Sequence, residues 1–293
     1  MGRRTSNASA LGKFVRRGLL GLLFLLLLSA AVIFGYLYWM GRKAPDTTGD
    51  YVALGSSFAA GIGIGGRAPG SPVQCMRTLG GYPSLVAQRS GLSLVDMSCS
   101  GSTTAHILQG GQMLLGTQLA AVGPDAKLVT ITSGGNDVDY IGDMMAASGQ
   151  MGRLGAWWAG PPQPVEARPF DMVSQNFEKI VAHIRKVAPK AKVVIVSYPA
   201  VLPVSGNCRA TGISDQQAQI SRDVAKRLAA ITKQAAAKAS AAYVDMATAS
   251  VGHDACSSQP WTNGAIVEQG TAFHPNAAGA AAVAERVAAV MRP

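Results

Sequence analysis

Five short apolar runs recur along the chain with helical patterns between them, and that alternation restricts the fold more than any other feature. The runs are "YVALG" from residue 51, "LSLVDMS" from 92, "KLVTITS" from 127, "KVVIVSY" from 192 and "AAYVDM" from 241. Helical patterns lie near 80–90, 172–188 ("MVSQNFEKIVAHIRKVA"), 215–239 and 276–291. Strands alternating with helices imply βαβ units, and near-continuous apolar strands imply a parallel sheet covered on both faces. The expected architecture is therefore one doubly wound α/β domain, three layers α/β/α, with five parallel strands over residues 51–293. A hydrophobic content of 48% is ample for its core. No internal repeat is visible. The stretch 140–170, rich in Gly, Met and Pro and carrying Trp157 and Trp158, reads as an irregular insertion of the kind that forms a lid or substrate wall.

One segment does not belong to that domain. Gly18 to Met40 ("GLLGLLFLLLLSAAVIFGYLYWM") holds no charged residue. As a helix it reaches roughly 34 Å at about 1.5 Å per residue, enough to cross a bilayer core. A cleaved signal peptide is the rival reading, with Ser29-Ala30-Ala31 as the cleavage site, but the apolar run continues past it to Tyr36, Tyr38 and Trp39. Arg3, Arg4, Lys13, Arg16 and Arg17 precede the span and only Arg42 and Lys43 follow it. The positive-inside rule then puts residues 1–17 in the cytoplasm, 18–40 across the membrane as a signal anchor, 41–50 in a short linker, and the domain from 51 outside the cell.

The net charge of +10 is not a nucleic-acid footprint. Half of it comes from residues 1–50, and the remainder contains no basic run longer than two. Cys75, Cys99, Cys208 and Cys256 all fall on the outer side, and none shows the CxxC spacing of a zinc or redox site. Two disulfides are expected, with three pairings open. Cys75–Cys99 and Cys208–Cys256 are favoured because each ties a loop to its nearest neighbour, at about 3 kcal/mol apiece. Unpaired buried thiols are the alternative.

In an open α/β sheet, ligands bind outside the carboxyl ends of the strands. After the first strand comes Gly55-Ser56-Ser57-Phe58; after the second, "SCSGSTT" with Gly101; after the third, "SGGNDV" with Asn136 and Asp137; after the fifth, "TAFHPNAAG" with His274. Together they supply what acyl transfer to water requires. A serine hydroxyl needs a base, and imidazole serves at neutral pH. The oxyanion needs preorganised donors, which a glycine amide and an asparagine side chain provide.

With those stretches in order, the chain resembles the SGNH, or GDSL-type, hydrolases, and more narrowly the secreted actinobacterial esterases and lipases among them. The likeness spans roughly residues 50–292, carried by "LGSSFAAG", "CSGSTT", "GGND" and "FHPNAAG". It implies a flavodoxin-like sheet and no cofactor; separately, four scattered histidines without a ligand pattern such as HExxH give no reason to expect a catalytic metal. The likeness also implies Ser57 as nucleophile, His274 as base, and an oxyanion hole from the Ser57 amide, the Gly101 amide and the Asn136 side chain. Two positions depart from the pattern. Ser56 replaces the usual acidic residue of the first block, and Thr271 replaces the usual Asp three residues before the histidine. By resemblance to esterases with a Ser-His dyad, the backbone carbonyl of Thr271 is expected to orient the imidazole; Asp254 in "GHDAC" is the minority candidate. His106, His183 and His253 read as structural.

The reading is thus an envelope-facing serine esterase or lipase, monomeric in its catalytic domain, acting on lipid or acylated envelope esters. An acyltransferase using the same acyl-enzyme is the near alternative, and a non-catalytic envelope-binding module the distant one. "GIGIGG" at 61–66 formally satisfies GxGxxG, but it runs into "RAPGSPVQC", which starts no helix, so a dinucleotide site is not expected.

Overall fold

The computed structural model describes residues 5–292. Arg3 and Arg4, two of the cations ahead of the apolar run, lie outside the described residues, as does the side chain of Trp158. Ten α-helices are described: α1 (Thr5–Arg42), α2 (Ser57–Ala60), α3 (Tyr82–Ser90), α4 (Thr104–Gln109), α5 (Tyr140–Ala147), α6 (Gly152–Ala159), α7 (Phe170–Val187), α8 (Asp215–Lys238), α9 (Met246–Ala249) and α10 (Ala277–Met291). The strands are β1 (Tyr51–Gly55), β2 (Leu94–Asp96), β3 (Leu128–Thr132), β4 (Lys192–Val196) and β5 (Ala242–Val244). The chain falls into two compact units, one holding α1 through residue 43 and the other holding residues 44–112 and those from 116 onward.

Helix α1 holds one stretch, Lys13–Arg42, that is long enough to cross a bilayer, and its most apolar 18-residue window has mean hydropathy 2.6. In the second unit the five strands form one parallel sheet in the order β2-β1-β3-β4-β5. The central strands β1 and β3 are buried at every residue. Their side chains alternate between faces, as a period of two requires. Val52, Leu54, Val129, Ile131, Val193 and Ile195 join the core under α4, α5, α7 and α8. Tyr51, Ala53, Leu128, Val194 and Val196 join the one under α3 and α10. Apolar residues on both faces are why these strands read as continuous runs.

Helix α7 shows how sequence sets a covering helix. Phe170, Val173, Phe177, Ile180, Val181 and Ile184 recur at helical spacing and are all fully buried, while Arg185 and Lys186 close its last turn against the helix dipole. Each such side chain stabilises by about 1.5–3 kcal/mol, so Phe177→Ala costs about 3–5 kcal/mol. The 140–170 stretch corrects the sequence reading: it is largely helical. Tyr140, Ile141 and Met144 place one face of α5 in the core, and that burial outweighs the Gly- and Met-rich composition.

Ahead of β1, Asp50 accepts from Ser93 Oγ and pairs with Lys127 at 2.8 Å.

Candidate active site

At the end of β1 the backbone must turn sharply beside β3. Gly55 has φ +148°, and a Cβ there would stand 2.3 Å from the Thr132 carbonyl oxygen, so only glycine fits. Gln118 clamps the same peptide: its Oε1 accepts from Gly55 N (2.8 Å) and its Nε2 donates to Gly55 O (3.0 Å) and Ser102 Oγ (2.9 Å). Ser56 N donates to Thr132 O at 2.9 Å. Ser57 then opens α2 and is 6% exposed.

His274 arrives from the loop before α10. Its Nε2 lies 2.8 Å from Ser57 Oγ, across 217 residues of chain. Its Nδ1 lies 2.7 Å from the carbonyl oxygen of Ala272. A carbonyl only accepts, so Nδ1 carries the proton and Nε2 is left to accept from the serine hydroxyl. Between the two, Phe273 is fully buried with φ +57°, a left-handed bend that returns the Ala272 carbonyl to the ring. This replaces the expectation for Thr271. The Thr271 carbonyl is occupied by the His274 amide (3.3 Å) and by Asn263 Nδ2 (3.1 Å). Asp254 is not at the ring either; its carboxylate accepts from Cys256 N at 2.9 Å.

Burial pushes the His274 imidazole down to about 4, partly opposed by the hydrogen bond to Ala272. The ring is therefore neutral, and a proton acceptor, across the physiological range. Phe58 lies against it with ring centroids 4.9 Å apart, and Tyr198 lies 4.5 Å from Phe58. The Tyr198 hydroxyl bonds Ser56 Oγ (2.9 Å) and accepts from Gly135 N (3.1 Å). Its own pKa is pushed up to about 12 by burial, so it stays protonated.

Asn136 donates one amide hydrogen of Nδ2 to Ser102 O at 2.8 Å, and the second meets no protein acceptor among the described residues. Gly101, at φ +79°, lies in the turn after Cys99, and Cys99 N donates to Gly55 O at 3.0 Å. Among the described residues neither the Ser57 amide nor the Gly101 amide donates to a protein acceptor. Asp137 fastens this rim: its carboxylate accepts from Thr104 N (3.0 Å) and Thr104 Oγ1 (2.5 Å), and Asn176 Nδ2 donates to Thr104 Oγ1 (2.9 Å).

Cys75 is bonded to Cys99 and Cys208 to Cys256. The first bond ties down the Gly101 turn. His106 caps α4 with Thr103, His253 stacks on Trp261, and His183 is exposed on α7. Gly61 to Gly66 form turns after α2. Sequence reasoning missed Gln118, Tyr198 and Ala272. Tyr198 alone had a signal, since it follows β4 on the same rim as the other stretches.

The model of the GDSL-like lipase/acylhydrolase family matches residues 53–282. A lipase of Streptomyces rimosus is 29% identical over 95% of this chain and 94% of its own. Lipase 2 of Streptomyces coelicolor is 29% identical over 83% and 85%. Among solved structures, phospholipase A1 of Streptomyces albidoflavus superposes with TM-score 0.65 at 27% identity, covering 84% of this chain and 99% of that one. The extracellular lipase of Streptomyces rimosus gives TM-score 0.65 at 28% identity, covering 82% and 98%. With its parallel five-stranded sheet and flanking helices, the chain belongs to the GDSL-like lipase/acylhydrolase family.

Proposed function

We propose that the protein hydrolyses carboxylic esters through a Ser57–His274 dyad, with lipid or acylated envelope components as substrates. The observation that carries this reading is the 2.8 Å contact between Ser57 Oγ and a neutral His274 Nε2. His274 takes the hydroxyl proton as Oγ attacks the ester carbonyl. The oxyanion that forms is met by the amides of Ser57 and Gly101 and by the second hydrogen of Asn136 Nδ2. His274 returns the proton to the leaving alcohol, and water repeats the sequence on the acyl-enzyme.

A neutral carbonyl orients the ring without stabilising the imidazolium as a carboxylate would. Electrostatic help is therefore smaller than in a triad, and orientation carries more of the catalysis. The substrate class is supported by relatives that are lipases and a phospholipase A1. In this reading α1 is an uncleaved anchor with residues 1–17 cytoplasmic and the hydrolase unit outside; its apolar length and flanking cations support that placement.

Hydrolysis of p-nitrophenyl esters of increasing chain length by the full chain tests the proposal. Wild type is expected to turn over, and Ser57→Ala and His274→Ala to lose about 10⁴-fold or more while remaining folded. Undiminished turnover in either folded variant overturns it.

A further inference from the structure

A cleft of about 600 Å³ opens beyond the carboxyl ends of β4 and β5, between α8 and the loops that follow those strands. None of Ser57, Gly101, Asn136 and His274 lines it. Its deep wall is apolar and buried, formed by Tyr140, Tyr198, Val201, Leu202 and Leu228. Its lips are apolar and wet: Val204 is 76% and Val251 55% exposed, on two loops that the Cys208–Cys256 bond ties together. Exposed valines on both sides of an apolar cleft form surface that an inserted chain would remove from water.

The charged groups at the rim are not equivalent. Asp245 accepts from Thr248 N (3.0 Å), Asp223 accepts from Gln219 Nε2 (3.1 Å), and Arg222 donates to Gly206 O and Gln219 Oε1. Lys226 and Lys233, two turns apart on α8, make no hydrogen bond or ion pair among the described residues. The cleft thus combines an apolar wall of the volume usual for ligand sites with two uncommitted cations at its edge.

We propose that this cleft is a second ligand site, which takes a single-chain amphiphile with an anionic head. The acyl chain lies against Val204, Ala229 and Val251, above the buried floor of Val201, Leu202 and Leu228, and the head meets Lys226 or Lys233. A carboxylate and a phosphate monoester share the required chemistry. The site does not depend on the ester-hydrolase reading, since no group of the proposed dyad takes part.

The test is photolabelling of the full chain in lipid nanodiscs with a diazirine-bearing dodecanoate, the labelled peptides being mapped by mass spectrometry. Label is expected in 197–204, 222–233 or 245–251. Dodecanoate or dodecyl phosphate should compete, the more effective of the two naming the head, and dodecanol should not. Ala229→Trp, which fills the cleft, should remove the label. Lys226→Glu with Lys233→Glu should raise the competing concentration about tenfold or more, the loss of one charge-assisted contact. Unchanged thermal unfolding guards against misfolding, and if Ala229→Trp fails to fold the lysine pair decides. Label confined to α1 or to 55–62 and 271–276, equal competition by dodecanol, or indifference to the lysine pair overturns the proposal.

Discussion

The turn that carries Ser57 and the segment around α5 and α6 are each secured by one buried polar side chain, but only the first is enclosed. Gln118 holds both polar groups of the Gly55 peptide, and every residue from Tyr51 to Ile62 is buried. Arg168, 4% exposed, donates to Val138 O (2.5 Å), to Gln163 O (2.8 Å) and to the Asp143 carboxylate (2.5 Å). It secures the root of that segment, yet Leu154 and Trp157 farther along are 71% and 73% exposed. Polar anchoring therefore serves two purposes here. In one region it fixes the proposed nucleophile; in the other it fixes only the base of a surface element.

Four substitutions probe that difference, from largest effect to smallest. Arg168→Leu leaves the Asp143 carboxylate, 15% exposed, without its cation, and is expected to cost about 3–5 kcal/mol in denaturant unfolding. Turnover of a short soluble ester by the folded fraction should change little. Gln118→Ala leaves the buried Gly55 amide unpaired, while the Gly55 carbonyl keeps its bond from Cys99 N, at about 1–3 kcal/mol, and here turnover should fall as well, because the turn of the proposed nucleophile loosens. A Gln118 variant that loses stability but keeps kcat would erase the distinction. Tyr198→Phe removes the bonds to Ser56 and Gly135 and keeps the ring against Phe58; about 1–2 kcal/mol and a smaller kcat with unchanged KM are expected. Leu154→Ser should stay within about 0.5 kcal/mol of wild type.

The strands and the main covering helices were legible because a two-sided parallel sheet forces whole apolar runs, and those runs stand out in any reading of the chain. Helix α6 was not, since Gly152, Gly155 and the following Gly160-Pro161-Pro162 carry the signals of a loop. Ser57, Gly101, Asn136 and His274 were legible as a set through their order at successive strand ends. The ring's orienter was not. Spacing identifies which carbonyls lie near His274, whereas the choice between Thr271 and Ala272 depends on the left-handed bend at Phe273, a non-glycine residue that gives no warning of it. Gln118 was hidden for another reason, because it meets Gly55 across 63 residues and no local pattern encodes such a contact.

The pH response follows from the ring's burial. A folded-state value near 4 lies below the ordinary histidine value of 6.5. The unfolded chain therefore binds a proton that the folded chain refuses, so this residue's contribution to stability is lost progressively as pH falls from about 6.5 towards 4. Reactivity behaves differently: the base form persists until pH falls through about 4.

The most direct measurement is the rate at which a fluorophosphonate modifies the full chain as a function of pH, with the labelled peptide identified. The account predicts label on Ser57, a rate halved near pH 4, no label in Ser57→Ala and a rate reduced by orders of magnitude in His274→Ala. Label that persists in Ser57→Ala, or a rate indifferent to His274, contradicts it.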